Sequence, residues 1–177
     1  MTFDFAQTHF ELFQMSPVFA LDHKQLDAQY RALQAQWHPD RFASANDAER
    51  RLSLQASTQV NEAWQTLRSP VARARYLLQL NGVDTQEETN TAMPMDFLMN
   101  QMIWREHIAE GKASQNVERL EELNSELREE MGALEDELAQ QLDVKQDFNA
   151  AALSVRKLRF MEKLDQEIGD AIESVLF

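Results

Sequence analysis

The sequence predicts an all-α chain of two modules: an antiparallel helical hairpin with flanking short helices, followed by an antiparallel three-helix bundle. Three observations carry this. Only four glycines and four prolines interrupt the 177 residues. Apolar side chains recur at intervals of three and four, and Val, Ile and Thr rarely alternate with polar residues as a strand requires. Charge divides unevenly: residues 1 to 80 hold eight acidic and eight basic side chains, whereas residues 81 to 177 hold 22 acidic and nine basic ones. That asymmetry predicts modules with different partners, and the acidic second half disfavours binding to nucleic-acid phosphates.

A short first helix is expected around residues 8 to 14, with Phe10 and Phe13 one turn apart and Pro17 as its stop. Asp22 is an N-cap candidate for the next helix, whose apolar stripe is Leu26, Tyr30, Leu33 and Trp37. Pro39 fixes its own φ, lacks an N–H and pushes His38 out of the α region, so that helix must stop there. Asn46 or Asp47 can cap the following helix, with the stripe Leu52, Ala56, Val60, Ala63, Trp64 and Leu67. Two helices joined by so short a loop pack antiparallel. Ser69-Pro70 opens a further helix through Arg73 to Leu78, and Asn81-Gly82 supplies its C-cap.

Residues 83 to 92 are polar and show no apolar period, which makes them the linker between a first domain of residues 1 to 82 and a second of residues 93 to 177. Three helical segments follow: Pro94 to Glu110, Gln115 to Gln141 and Asp147 to Leu176, separated by Gly111 and by the stretch from Asp143 to Asp147. In the middle one, Leu120, Leu123, Leu127, Met131, Leu134, Leu138 and Leu142 keep close to a seven-residue repeat, with Glu121, Glu122, Glu129, Glu130 and Glu137 outside it. Short connections between such helices favour a three-helix bundle.

Several function classes are excluded. Without cysteine there are no disulfides, thiolate metal sites or cysteine nucleophiles. No apolar run approaches the roughly 18 residues of a membrane span, and Met1-Thr2-Phe3-Asp4 lacks the segments of a signal peptide, so a soluble cytoplasmic protein with no membrane contact is expected. No Gly-x-Ser-x-Gly, His-Glu-x-x-His or phosphate-cradling glycine loop occurs, and His9, His23 and His107 are distant in sequence from His38. No catalytic residue, metal or cofactor is therefore expected, and the chain is not expected to be an enzyme. What remains is His38-Pro39-Asp40: a histidine, a rigid proline and an anion displayed between two helices. Such a loop suits insertion into a partner, where Asp40 meets a cation and His38 donates a hydrogen bond.

A His-Pro-Asp loop between facing helical stripes resembles the J domain, the module that activates ATP-dependent chaperones of the seventy-kilodalton class. The resemblance continues through Ala35-Gln36-Trp37-His38-Pro39-Asp40-Arg41-Phe42, Val60-Asn61-Glu62-Ala63-Trp64 and Arg73-Ala74-Arg75-Tyr76-Leu77-Leu78. It extends to Phe97-Leu98-Met99 and Val155-Arg156-Lys157-Leu158-Arg159-Phe160 in the second module. Over essentially its whole length the chain resembles the HscB family of J-type co-chaperones of iron–sulfur cluster assembly. The resemblance implies that the first module binds the chaperone HscA through His38, Pro39 and Asp40, with Arg31 and Arg41 beside them, and stimulates its ATP hydrolysis. It implies that the second module holds the cluster scaffold IscU, and a monomer is expected. The helix before the loop carries only Lys24 and Arg31 with His23, fewer basic residues than J domains usually have, so weaker electrostatic steering is expected. The alternative is a general J-domain co-chaperone delivering unfolded clients to a DnaK-type chaperone.

Helical phase, at about 100° per residue, gives the first helix of the second module two apolar faces. Phe97, Trp104 and Ile108 cluster on one, suited to the bundle core; Leu98, Met99, Met102 and Ile103 cluster nearly opposite, edged by Glu106 and Glu110. A bundle needs only one face, and flexible thioethers suit the other to adaptable contact. The resemblance places scaffold binding on those positions and on Phe160, which lies off the stripe of Val155, Leu158, Met161, Leu164 and Ile168. Ile103 stands where an acidic residue is more familiar, exchanging a charge contact for an apolar one. The plainer expectation is that the second face packs against the first module.

Overall fold

The computed structural model describes residues 2–177. No strand occurs among them. The helices run in the order α1 (His9–Leu12), α2 (His23–Trp37), α3 (Asp47–Arg68), α4 (Pro70–Leu80), α5 (Met95–Ala113), α6 (Val117–Ala139) and α7 (Phe148–Leu176). A 3₁₀ turn covers Pro39–Phe42 and a π-helical turn covers Gln140–Lys145. The chain divides into two structural units after Leu77.

In the first unit, local capping sets each helix start. Thr8 and Glu11 form a capping box, the Thr8 hydroxyl accepting the Glu11 N–H at 3.1 Å and the Glu11 carboxylate accepting the Thr8 N–H at 2.9 Å. The helix they open is shorter than the expected 8–14 segment, and Pro17 is not its stop. Gln14 turns left-handed at φ 54°, and the Met15 N–H donates to Phe10 O at 2.9 Å, closing a Schellman turn before the proline is reached. Asp22 starts α2 by accepting the N–H groups of Lys24 and Gln25, and Asn46 starts α3 by accepting that of Glu49.

Phe10, Phe13, Leu26 and Trp37 are buried with Ala56, Val60, Ala63 and Leu67 of α3, as their spacing predicts. Outside this core, Tyr30 stacks on Trp64 at 4.3 Å and donates its hydroxyl to Asn61 Oδ1 at 2.7 Å. Buried Arg73 donates to Leu67 O at 2.7 Å, its guanidinium 4.6 Å from the Phe19 ring centroid. α1 is tied to Tyr76 through His9, whose ring stacks at 4.3 Å and whose backbone N–H donates to the tyrosine hydroxyl at 3.0 Å. Burial holds the His9 imidazole below its usual pKa of 6.5, against the opposing pull of the Glu62 carboxylate.

Gly82, at φ 75°, ends α4 as the sequence predicts, with the Val83 N–H donating to Leu78 O at 2.9 Å. Residues 83–94 hold no helix. They are not solvated throughout: Thr85 is buried, and its carbonyl accepts from the Arg156 guanidinium at 3.1 Å.

The second unit is a three-helix bundle around Trp104, Ile108, Leu120, Leu123, Leu127, Met161, Leu164 and Ile168. Phe97 meets Phe160 and Arg105 meets Glu167, so α5 and α7 run in the same direction, with α6 returning between them. Gly111 is not the break expected of it. It lies buried within α5, where an added Cβ would come 2.8 Å from Leu120 Cδ2 and 3.0 Å from Cγ, so it is a point of close approach between α5 and α6. The break falls later, at Gln115 (φ 51°), where the Asn116 N–H donates to Gly111 O at 2.9 Å and Asn116 caps α6 by accepting the Arg119 N–H at 3.0 Å. The second break falls inside the expected stretch of Asp143 to Asp147, at its far end. Helical turns continue to Lys145, and Gln146 (φ 52°) makes the reversal before Asp147 caps α7.

Gly111→Ala should lower unfolding stability by about 1–3 kcal/mol in denaturant titrations, because Leu120 is fully buried and cannot move aside freely. A second expectation concerns pH. Folded His9 holds its proton more weakly than the unfolded chain does, so its contribution is complete above the unfolded value of 6.5 and is lost as pH falls through the depressed folded value. His9→Phe keeps the ring stack without the titration, and thermal melts at pH 7.5 and 5 should show a smaller acid-induced drop than in the parent.

Candidate functional site

Pro39 stops α2 and places four exposed or half-exposed residues in one 3₁₀ turn. His38 is both the C-cap of α2 and the N-cap of the 3₁₀ turn: its N–H donates to Gln34 O at 2.8 Å, and its Nδ1 accepts the Asp40 N–H at 3.2 Å. With Nδ1 accepting, the neutral ring carries its proton on Nε2, leaving that N–H available as a donor. Asp40 Oδ2 lies 3.6 Å from His38 Nδ1, and the two side chains are 93% and 56% exposed, so the pair is presented to solvent. Arg41 folds back to donate to Ala35 O at 3.4 Å. Arg31 stands exposed on α2, its Nε donating to Asp27 O at 3.4 Å, apart from that turn.

The buried end of the α2 stripe and a serine that spacing alone did not single out hold this turn in place. Trp37 is buried beneath it, stacked on Phe42 with centroids 6.2 Å apart and 5° between planes, and set edge-on to Phe3 at 5.3 Å. Ser53 Oγ donates to Trp37 O at 2.9 Å, using a carbonyl that the end of α2 leaves without a helical partner. A signal was present: Ser53 continues the phase of Ala56, Val60, Ala63 and Leu67, a polar residue on the core face of α3.

On α5 the two predicted faces separate cleanly. Trp104 and Ile108 are buried and Phe97 is partly buried against them, while Leu98, Met99, Met102 and Ile103 are 38%, 58%, 65% and 47% exposed. Glu106 and Glu110 are exposed at the end of the same face. Met95, 71% exposed, belongs to this face as well, one turn before Met99. Phe160 is half-buried on α7 and joins α5 through an edge contact with Phe97, centroids 6.3 Å apart; Lys157 and Lys163 lie over the two rings at 5.7 and 5.5 Å. Among the described residues, no group of three His, Asp or Glu side chains is placed to hold a metal ion, and no helix is long and apolar enough to cross a membrane.

Two family models match, one described as the DnaJ domain over residues 8–76 and one as the HSCB C-terminal oligomerisation domain over residues 93–169. The chain is 58% identical over 176 residues to the co-chaperone protein HscB homolog of Chromobacterium violaceum, covering 99% of both chains. It belongs to the HscB family of co-chaperones. Another HscB homolog, from Burkholderia thailandensis, is 52% identical over 166 residues and 94% of each chain. Solved HscB structures agree: that of the Vibrio cholerae chaperone has a TM-score of 0.85 at 34% identity, covering 96% of this chain and 99% of its own. Human co-chaperone HscB has 0.87 at 28% identity, covering 94% and 82%. As in those HscB structures, a J domain is joined to a C-terminal helical domain.

Removing the hydroxyl that anchors the HscB-family turn should be felt locally. Ser53→Ala leaves the buried Trp37 carbonyl unsatisfied, and we expect a stability loss of about 1–3 kcal/mol in denaturant titrations, with helix content by circular dichroism unchanged.

Proposed function

We propose that this HscB-family chain is an adaptor with two binding ends. The first domain, residues 1–82, engages the chaperone HscA through His38, Pro39 and Asp40, assisted by Arg31 and Arg41, and stimulates its ATP hydrolysis. The second, residues 93–177 beyond the linker of residues 83–92, holds the scaffold IscU through Leu98, Met99, Met102, Ile103, Glu106, Glu110 and Phe160. One observation carries the reading. α5 shows solvent an apolar face, edged by carboxylates, that its own bundle does not use, in a chain that also displays His-Pro-Asp on a braced turn. In this reading it acts as a monomer, in the cytoplasm. It hydrolyses nothing itself.

The chemistry fits the two roles. The loop offers a carboxylate to a cation and a ring N–H to an acceptor, both charge-assisted or directional contacts that set orientation more than affinity. The α5 face offers area without fixed polar geometry, appropriate for holding a folded cargo and releasing it.

A steady-state assay of HscA ATP hydrolysis tests the whole reading: the chain, alone or with IscU, should accelerate turnover, and an absence of acceleration would sink it. His38→Gln should abolish acceleration while leaving IscU binding intact. Separately, Leu98→Ala, Met99→Ala and Phe160→Ala should each weaken IscU binding by about tenfold in calorimetric titration at unchanged helix content. Tighter binding of denatured polypeptides than of IscU would instead support a general co-chaperone serving a DnaK-type partner.

A further inference from the structure

We propose that Met95, Met99 and Met102 form a reversible oxidation site, at which peroxide converts the apolar face of α5 into a polar one and releases the cargo held there. The inference rests on the reading of that face as the scaffold contact.

The methionines are not scattered. Among the described ones, Met95, Met99 and Met102 are 71%, 58% and 65% exposed, whereas Met161 is 5% exposed and Met15, Met93 and Met131 are half-buried. At about 100° per residue, positions 95, 99 and 102 fall within about 60° of one another, forming a single stripe. The chain has no cysteine, so no thiolate of its own intercepts the oxidant first.

The step balances without any cofactor. A sulfur lone pair attacks one oxygen of hydrogen peroxide, an S–O bond forms as the O–O bond breaks, and the departing hydroxide takes the proton of the sulfur-bound hydroxyl, leaving the sulfoxide and water. Sulfur is oxidised by two electrons and peroxide is reduced by two. A flexible apolar side chain becomes a strong, chiral hydrogen-bond acceptor, and three in one stripe place polar groups across the contact. Thiol-dependent reduction reverses the change. His38, Pro39 and Asp40 contain no sulfur, so oxidation separates cargo binding from chaperone activation.

The test treats the full-length chain with hydrogen peroxide, removes the excess with catalase, maps sulfoxides by peptide mass spectrometry and titrates IscU by calorimetry. Met95, Met99 and Met102 should oxidise ahead of Met131 and Met161, affinity should fall at least about tenfold, and methionine sulfoxide reductases with dithiothreitol should restore it. In the triple variant Met95→Leu, Met99→Leu, Met102→Leu, affinity after peroxide should equal its own untreated value. Unchanged binding by the oxidised parent, an equal peroxide-induced loss in the triple variant, or earlier oxidation of the buried methionines overturns the inference alone. Failure of the untreated parent to bind IscU overturns the scaffold reading and the inference with it.

Discussion

A helix in a three-helix bundle can bury only one stripe, and α5 carries apolar side chains on two. The bundle takes Trp104 and Ile108, whose large surfaces meet leucines of α6 and aliphatic residues of α7. Gly111 lets α6 close onto that stripe. With the rotation of α5 fixed in this way, Leu98, Met99, Met102 and Ile103 have no route inward, and their exposure follows from where the core residues point. The exposed face is thus specified by the residues that do not belong to it.

The J domain reaches an equivalent result by rigidity rather than by helix phase. Pro39 ends α2 and restricts the turn, Trp37 and Phe42 fill the space beneath it, and Ser53 fastens the last carbonyl of the helix. Few of the turn's backbone groups are left to find partners by moving. An exposed tripeptide on such a base has little conformational entropy left to lose in any contact it makes.

Much of this was legible in the sequence, for identifiable reasons. Apolar stripes on α2, α3 and α6 are long enough for their period to be unambiguous, and Asp22, Asn46 and Asp147 mark helix starts with side chains whose capping chemistry is local. The opposed faces of α5 follow from phase alone. Ends of helices were less legible. Glycine serves both as a stop and as a point of close approach, and only the position of Leu120 distinguishes the two at Gly111. Ser53 resembles any surface serine until its place in the core phase is noticed. The Phe97–Phe160 contact, between residues far apart in the chain, depends on a packing that no local pattern encodes.

Three helix ends and one turn of the linker share a backbone feature. Among the described non-glycine residues the positive-φ positions are all glutamines, Gln14, Gln86, Gln115 and Gln146. A left-handed backbone disfavours an L side chain by about 1–2 kcal/mol, so the four together forgo several kcal/mol. For a fold whose whole margin is of order 5–15 kcal/mol, that is a substantial reserve. The chain therefore has room to become more thermostable through glycine or asparagine at its turns, without altering either the His-Pro-Asp loop or the exposed face of α5.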